Sequence, residues 1–305
     1  MPEGRVTAAY GRQFWIAGDD GSTLACVMRG KRHDAAVGDR VEFRDTGGGG
    51  GVIEQVMPRA TRFARSDLYR TKLFAANLSR IAVVMAPEPA PSESLLFRAL
   101  VNAHIEGLPA AIIMNKADLL RAPAAHDPAR QQRETVAARA ALYESLGTPV
   151  FRIAAKADPE GARAALAPWL QGETTLLLGQ SGMGKSTLVN TLVPDAALAT
   201  QAISQALGTG RHTTTFVRAF DLAGGGTIVD SPGFQEFGLA HLSASQLQAA
   251  VPEIAQRAGA CRFNNCTHRE EPACAVRAAV ETGEMDARRW QLYLEVEQEL
   301  GREKY

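Results

Sequence analysis

The segment from Gly179 to Ser186 has the pattern G-x-x-x-x-G-K-S, which is typical of loops that bind phosphate groups. Glycines in such a loop let backbone N–H groups converge on a β-phosphate, and the dipole of the following helix favours negative charge. Lys185 would neutralise the phosphates and assist catalysis, and the Ser186 hydroxyl would bind Mg²⁺. The predicted phosphate site comprises Gly179, Gln180, Ser181, Gly182, Met183, Gly184, Lys185, Ser186 and Thr187.

A second segment, Asn115-Lys116-Ala117-Asp118, indicates which base accompanies the phosphates. The Asp118 carboxylate can accept hydrogen bonds from both N1–H and the 2-amino group of guanine. Adenine has no such donor pair and would leave this carboxylate desolvated and unpaired. Asn115 would orient the other edge of the base, and the stem of Lys116 would cover its face. These residues predict GTP and GDP as ligands and disfavour an ATP-dependent enzyme.

A third segment, Ala154-Ala155-Lys156, corresponds to the short S-A-K-like segment whose backbone N–H contacts the guanine oxygen in GTPases. Alanine stands here at the serine position, so the match is partial. We predict that Ala155 and Lys156 belong to the base site.

Two further segments are expected to respond to the γ-phosphate. The first is Asp230-Ser231-Pro232-Gly233, a D-x-x-G pattern in which Asp230 would hold Mg²⁺ through water and the Gly233 N–H would meet the γ-phosphate. The second is the polar loop at positions 208–215, from which one threonine should close over Mg²⁺. Thr214 and Thr215 are favoured by position over Thr213.

The residue that orients the attacking water is an open question in this sequence. Phe234 follows Gly233 at the position where many GTPases have a glutamine, and phenylalanine cannot orient water. His212 is the nearest side chain able to do so, and we predict a catalytic role for it. The alternative is that His212 only folds the loop.

Three of the four cysteines lie close together near the C-terminus, in the pattern Cys261-x4-Cys266-x-His268-x5-Cys274. Three thiolates and one imidazole suit a closed tetrahedral zinc site with a structural role. The alternative is three buried free cysteines and a surface histidine. The neighbouring polar residues indicate either an RNA contact or a protein contact; they are Arg262, Asn264, Asn265, Thr267 and Arg269. The remaining cysteine, Cys26, is expected to pack as a small apolar residue.

The elements that must position these residues change in character along the chain. About five short strands before residue 72 favour a small closed barrel of the OB type. Continuous apolar runs at 81–85, 110–114 and 174–178 alternate with helical segments, which predicts an α/β domain with a mostly parallel sheet and helices on both faces. Beyond residue 240 the chain is helical. We predict an OB-like domain at 1–72, a P-loop GTPase domain at 73–240 and a helical zinc-binding domain at 241–305.

The order of the motifs is circularly permuted, because the base-recognition segment precedes the phosphate loop instead of following it. The same sheet can still form, since joining the original termini and opening the chain elsewhere leaves the packing intact. The segment at 230–233 consequently leads into the C-terminal region, and nucleotide state could reposition that region.

Taken together, these motifs resemble the ribosome small-subunit-dependent GTPase A family of bacteria over nearly the whole chain. The resemblance rests on the OB-like N-terminus, the permuted motifs, the run Gly210-Arg211-His212-Thr213-Thr214-Thr215 and the cysteine cluster. It implies GTP hydrolysis stimulated by the small ribosomal subunit and a role in the late maturation of that subunit. It also matches His212 to the family's proposed catalytic histidine. Ala154 and Ser79 depart from the family pattern.

Composition limits the other classes of function. The 305 residues are 46% hydrophobic and 22% charged with a net charge of zero, so the whole chain does not indicate a nucleic-acid partner. A basic segment between Pro58 and Lys72 is either a solvated linker or an RNA contact. No apolar run approaches a membrane span and no signal peptide is visible, so we expect a cytoplasmic protein. We also expect a monomer. The expected partners are the small ribosomal subunit and its rRNA, with no DNA; an RNA-docking scaffold with negligible GTP turnover is the alternative.

Overall fold

The protein is described by a computed structural model, which covers residues 1–30, 34–66, 71–120, 129–196, 216–233 and 237–301. The chain divides into two compact units. The first comprises residues 1–64, 73–92 and 108–235, and the second comprises residues 65–72, 93–107 and 236–305. The three-domain division at residues 72 and 240 stays a prediction.

The first unit begins with a closed barrel of five strands, which confirms the expected OB-like architecture. Its strands are β1 (Glu3–Tyr10), β2 (Gln13–Gly18), β3 (Thr23–Met28), β4 (Arg40–Gly47) and β5 (Gly50–Val56). They pair in the order β1-β2-β3-β5-β4, and β4 pairs with β1 to close the barrel. Side chains alternate along each strand between the barrel interior and the surface. Cys26 is fully buried, and burial raises its pKa to about 11, so it packs as an apolar residue as expected.

The basic segment that follows the barrel is partly committed to internal contacts. Arg59 forms a 2.7 Å ion pair with the fully buried Asp39, and its guanidinium also donates to the Asp34 carbonyl. The Asp39 carboxylate in turn accepts a hydrogen bond from the Ala36 N–H. Hydrogen bonding to Asp39 raises the pKa of Arg59. This arginine therefore stabilises the barrel, whereas sequence alone suggested a linker or an RNA contact.

Strands β6 (Arg62–Ser66) and β7 (Thr71–Ala76) form a separate two-stranded sheet. The main sheet of the first unit then comprises β8 (Arg80–Met85), β9 (Ala110–Met114), β10 (Val150–Arg152), β11 (Thr174–Leu178), β12 (Val217–Asp221) and β13 (Thr227–Asp230). Their order is β10-β9-β8-β11-β13-β12. All neighbouring pairs are parallel except β12 and β13. The predicted mostly parallel sheet is therefore confirmed.

Helices of the first unit lie between these strands. They are α2 (Arg130–Ser145), α3 (Pro159–Leu170) and α4 (Lys185–Leu192), with a short 3₁₀ turn at Ala117–Leu120. Because β8, β9, β10, β11 and β13 run in the same direction, their carboxyl ends meet at one edge of the sheet. The phosphate loop follows β11, the base-recognition segment follows β9, and Asp230 ends β13. This edge is where open α/β sheets bind their ligands.

The barrel and the sheet are joined by main-chain pairing that sequence analysis did not predict. One edge of β1 is shared between two partners: Glu3–Arg5 pair with β4, and Ala8–Ala9 pair with β12 at Arg218 and Val217. A bulge between Val6 and Ala8 separates the two stretches, and bulges of this kind bend a strand. Eleven strands of the first unit therefore form one continuous sheet.

The second unit is helical in its described part, as predicted for the C-terminal region. Its helices are α1 (Glu93–Ile105), α5 (Ala244–Ala249), α6 (Pro252–Ala258), α7 (Ala275–Glu281) and α8 (Ala287–Leu300). Ion pairs connect several of them: buried Arg289 contacts Glu253 at 2.5 Å, Arg98 contacts Glu299 at 2.6 Å, and Arg288 contacts Glu93 at 3.1 Å. None of the helices in the described ranges combines the length and apolarity needed to cross a membrane.

Candidate functional site

The phosphate loop occupies the turn between β11 and α4, where its sequence pattern predicted it. Gly184 has φ of +85°, and a Cβ at this position would lie 2.4 Å from Asn115 Nδ2. Only glycine therefore fits between the loop and the base-recognition segment. Lys185 begins α4, and its ammonium donates to the carbonyl oxygens of Gly179 (2.6 Å) and Gln180 (3.3 Å). The cation thus lies inside the curve of the loop, where burial lowers the pKa of Lys185.

Asn115 connects the three predicted nucleotide-binding segments through its buried side chain, which is 2% exposed. Its Oδ1 accepts hydrogen bonds from the N–H groups of Lys116 (2.9 Å) and Ala155 (3.1 Å). Its Nδ2 donates to the carbonyls of Met183 (3.2 Å) and Gly184 (3.4 Å) in the phosphate loop. One amide therefore holds the base-recognition segment, the A-A-K segment and the phosphate loop in register.

The predicted base-binding residues surround one open cavity of about 360 Å³. Its lining consists of Asn115, Lys116, Asp118, Leu119, Ala154, Lys156, Ala157, Gly184 and Thr187. Asp118 is exposed at the rim, where its carboxylate can accept the paired donors of guanine. The structure thus brings Asn115, Lys116, Asp118 and Lys156 to one place, and their roles toward guanine stay predictions.

Lys116 is fixed by a contact that sequence analysis missed. Its ammonium donates to the Gly182 carbonyl (2.8 Å) in the phosphate loop and to the Glu88 carbonyl (2.9 Å) in the loop after β8. The Glu88 side chain is itself held by Arg133 of α2 at 2.5 Å. The loop after β8 also touches the phosphate loop where the Ser92 N–H donates to Gln180 Oε1 at 2.9 Å. The lysine stem is therefore held extended beside the cavity.

Asp230 lies at the end of β13, and one of its carboxylate oxygens accepts no hydrogen bond from any residue that the structure describes. The residue is 8% exposed, and its buried Oδ1 has no hydrogen-bond partner within the described ranges. Burial raises the pKa of Asp230 to about 6, although Lys185, the Ser231 N–H and Arg218 each lower it. An unsatisfied carboxylate oxygen fits a hard cation such as Mg²⁺, and the exposed Ser186 would supply the second protein oxygen.

The structure describes only some of the remaining residues that are predicted to contact the nucleotide. Gly233 lies against the phosphate loop, since a Cβ there would be 3.0 Å from the Ser181 N. The predicted threonines Thr214 and Thr215 and the predicted catalytic His212 lie outside the described residues, as does Phe234. Their proposed roles stay predictions.

The cysteine cluster has the geometry of a tetrahedral metal site. The Cys261 and Cys274 sulfurs are 3.9 Å apart, and His268 Nδ1 lies 3.6 Å from Cys261 Sγ and 3.5 Å from Cys274 Sγ. The four ligand atoms, with Cys266 included, lie within 4.8 Å of one another. Tetrahedral zinc places two sulfurs about 3.8 Å apart, and a sulfur and a nitrogen about 3.6 Å apart. The residues therefore fit Zn²⁺ with no open position.

Residues around the cluster hold its loop in shape. The Glu271 carboxylate accepts hydrogen bonds from the Thr267 N–H and hydroxyl, both at 2.6 Å, and from the Arg269 N–H at 3.0 Å. Burial would raise the pKa of Glu271, but these hydrogen bonds outweigh it and hold the pKa at about 2. Arg269 is also paired with Glu297 of α8. Thr267 and Arg269 are thus committed internally, although sequence analysis had proposed them for partner contact.

Comparison with known proteins places this arrangement in a family. The family model described as RsgA GTPase matches residues 56–240. A relative from Burkholderia pseudomallei (strain K96243), named small ribosomal subunit biogenesis GTPase RsgA, is 48% identical over 295 residues, covering 96% of this chain and 91% of that protein. A relative of the same name from Paraburkholderia phytofirmans is 48% identical over 299 residues, covering 96% and 92%.

Solved structures agree with the family match and confirm the permuted order. YjeQ from Thermotoga maritima has a TM-score of 0.71 with 27% identity, covering 99% of both chains. YloQ, described as a circularly permuted GTPase, has a TM-score of 0.67 with 25% identity, covering 98% of this chain and 95% of that one. The chain therefore belongs to the RsgA GTPase family and is a GTP-hydrolysing enzyme.

Proposed function

We propose that this GTPase acts on the small ribosomal subunit during its late maturation and that the subunit stimulates GTP hydrolysis. The observation that carries the proposal is the 48% identity, over 96% of the chain, to proteins named small ribosomal subunit biogenesis GTPase RsgA. An alignment of this extent covers the barrel and the cysteine cluster as well as the nucleotide site. The rRNA of the subunit would be the RNA partner, and the protein would act as a cytoplasmic monomer.

The arrangement of the site supports hydrolysis that is slow without a partner. Lys185 and Asp230 supply the phosphate and Mg²⁺ contacts, with Ser186 as the second Mg²⁺ ligand, and GTP would bring the γ-phosphate that is transferred to water. The sequence has Phe234 where a water-orienting glutamine stands in many GTPases. Water would then be oriented by His212 or by a group of the partner, so docking on the subunit can control the rate.

The test measures GTP turnover with and without purified small ribosomal subunits, using large subunits as the control. We expect a higher kcat only with small subunits, and we expect His212→Ala to remove the stimulated rate while GDP affinity is kept. Equal turnover in all three conditions would contradict the proposal and would favour a scaffold that uses GTP as a structural ligand. Zinc content is measured in the same preparation, since the cysteine cluster is proposed to hold one structural Zn²⁺.

A further inference from the structure

We propose that Tyr10, a residue of the barrel, is a positioning residue for GTP hydrolysis that acts through Phe216, which precedes β12, and Arg218 of β12. Tyr10 lies far from the nucleotide segments in sequence, and it is absent from every motif that predicts the GTPase site. The inference goes beyond the ribosomal role and does not depend on it, because it concerns hydrolysis by the chain itself.

Tyr10 ends β1 at the point where the barrel meets β12. The residue is 7% exposed, and its ring lies 4.0 Å from the ring of Phe216, centroid to centroid. Trp15 of the barrel contacts the same tyrosine ring edge-on at 5.3 Å. Phe216 directly follows Thr215 in the chain. The barrel therefore supplies a rigid aromatic surface against the residue at which the polar loop of residues 208–215 joins the sheet.

Arg218 connects the same tyrosine to the predicted Mg²⁺ ligand. Its guanidinium carbon lies 5.6 Å from the centre of the Tyr10 ring and 5.9 Å from that of Phe220, and the residue is 4% exposed. Arg218 stands directly opposite Asp230 in the antiparallel β12–β13 ladder. A buried cation is costly unless opposite charge or a π-face lies near it. The ring of Tyr10 supplies such a π-face, and Asp230 supplies opposite charge on the neighbouring strand.

The other end of the β12–β13 hairpin is also tied to β1. Arg5 donates to Asp221 Oδ1 at 2.7 Å and to Thr227 Oγ1 at 2.8 Å, and these residues end β12 and begin β13. Between the two ends, Ala8 and Ala9 pair with Arg218 and Val217. Strand β1 therefore holds the hairpin at both ends and along its edge.

This arrangement separates nucleotide affinity from turnover. The phosphate loop follows β11 and the base segment follows β9, and β1 pairs with neither strand. Asp230, by contrast, belongs to one of the two elements expected to respond to the γ-phosphate, and Phe216 directly follows the other. Displacement of reacting groups by about 1 Å can reduce a rate by up to about 100-fold. Loss of the Tyr10 ring should therefore reduce kcat and leave ground-state GDP binding intact.

The experiment compares Tyr10→Leu with Tyr10→Phe and with Phe14→Leu in the full chain. Phe14 is 2% exposed on β2, a strand that pairs with β1 and β3 and not with the hairpin, so its substitution matches the loss of a buried ring. We expect Tyr10→Leu to lower kcat for GTP about tenfold with GDP affinity changed less than about twofold. Tyr10→Phe keeps the ring and should keep the rate, and Phe14→Leu should also keep it. Thermal unfolding verifies that each variant is folded.

Phe216→Leu removes the other partner of the contact and keeps the proposal testable if Tyr10→Leu does not fold. Phe216→Leu should show the same reduction in kcat at unchanged GDP affinity. When both single variants fold, the double variant should be no slower than the slower single variant, because contacting residues are not additive. A double variant whose losses multiply would overturn the proposal. Equal rates for Tyr10→Leu and Phe14→Leu would also overturn it. So would a loss of GDP affinity as large as the loss of kcat in Tyr10→Leu or Phe216→Leu.

Discussion

Replacement of Asn115 by alanine tests the geometry of the nucleotide site most directly. The substitution leaves the N–H groups of Lys116 and Ala155 without their acceptor and removes the donor to the Met183 and Gly184 carbonyls. Each net hydrogen bond contributes about 1 kcal/mol, and a buried group left unpaired costs about 1–3 kcal/mol. Four affected groups at about 1 kcal/mol each therefore predict that the free energy of unfolding falls by about 4 kcal/mol; the lower cost per group applies because water can reach part of the open cavity.

The same substitution should weaken nucleotide binding independently of stability. Asn115 holds the Ala155 N–H and the phosphate loop at fixed positions beside the cavity, so without it the binding groups must be ordered by the nucleotide itself. We expect the Kd for GDP to rise about tenfold or more, corresponding to at least about 1.4 kcal/mol. Fluorescent GDP titration measures the affinity, and urea unfolding of the nucleotide-free protein measures stability.

The matched control is Asn102→Ala. Asn102 is a fully buried asparagine of α1 in the second unit, and it does not line the cavity. We expect this variant to lose stability while its GDP affinity stays that of the unaltered protein. If Asn115→Ala binds GDP as tightly as Asn102→Ala does, the Asn115 amide has no role in organising the nucleotide site, and the reasoning above is wrong.

Three further outcomes are expected. Asp118→Asn should change the preference of the protein from guanine to xanthine nucleotides, as measured by competition between GDP and XDP. An unchanged preference for GDP would contradict the role of the carboxylate. Cys274→Ser should lose its bound zinc, as measured by metal analysis, and its melting temperature should fall, because structural zinc binding of about 10–16 kcal/mol is coupled to folding. A variant with full zinc content would refute the ligand assignment. The pKa of Asp230 in the folded protein is about 6, above its ordinary value of 3.8. In protein without nucleotide or metal, the contribution of Asp230 to the free energy of unfolding is therefore most favourable below pH 3.8 and is lost as the pH rises through 6. In urea unfolding, the free energy of unfolding of the unaltered protein should fall over that range by at most about 3 kcal/mol relative to that of Asp230→Asn. Parallel pH profiles for the two proteins would contradict the raised pKa.

Residues whose role depends on local pattern were predictable from sequence. The glycines of the phosphate loop, Asn115 and Asp118 occupy fixed positions after apolar runs, and the carboxyl ends of parallel strands meet by topology alone. The four residues of the cysteine cluster lie within fourteen positions, so their spacing already indicated a shared metal. These predictions required no knowledge of long-range contacts.

Residues whose role depends on distant pairing were not predictable. Arg218 and Tyr10 meet because residues 8 and 9 pair with residues 218 and 217, and no local signal marks that register. The Glu88 contact to Lys116 uses a main-chain carbonyl, which every residue type supplies. Sequence alone could not decide whether Arg59 belongs to a solvated linker or to an RNA contact, because its partner, Asp39, lies 20 residues earlier in the chain.

The pairing of β1 with β12 also affects the order in which the chain can fold during synthesis. The five barrel strands are complete at Val56, but the edge at Ala8 and Ala9 stays open until Val217 has been made. Translation at about 5–20 residues per second leaves that edge exposed for roughly 10–30 s. An open edge can recruit a wrong strand, and a neighbouring charge such as Arg5 disfavours that pairing. Joining of the barrel to the sheet is therefore a late event, and truncated chains that end before β12 should be the most prone to aggregate.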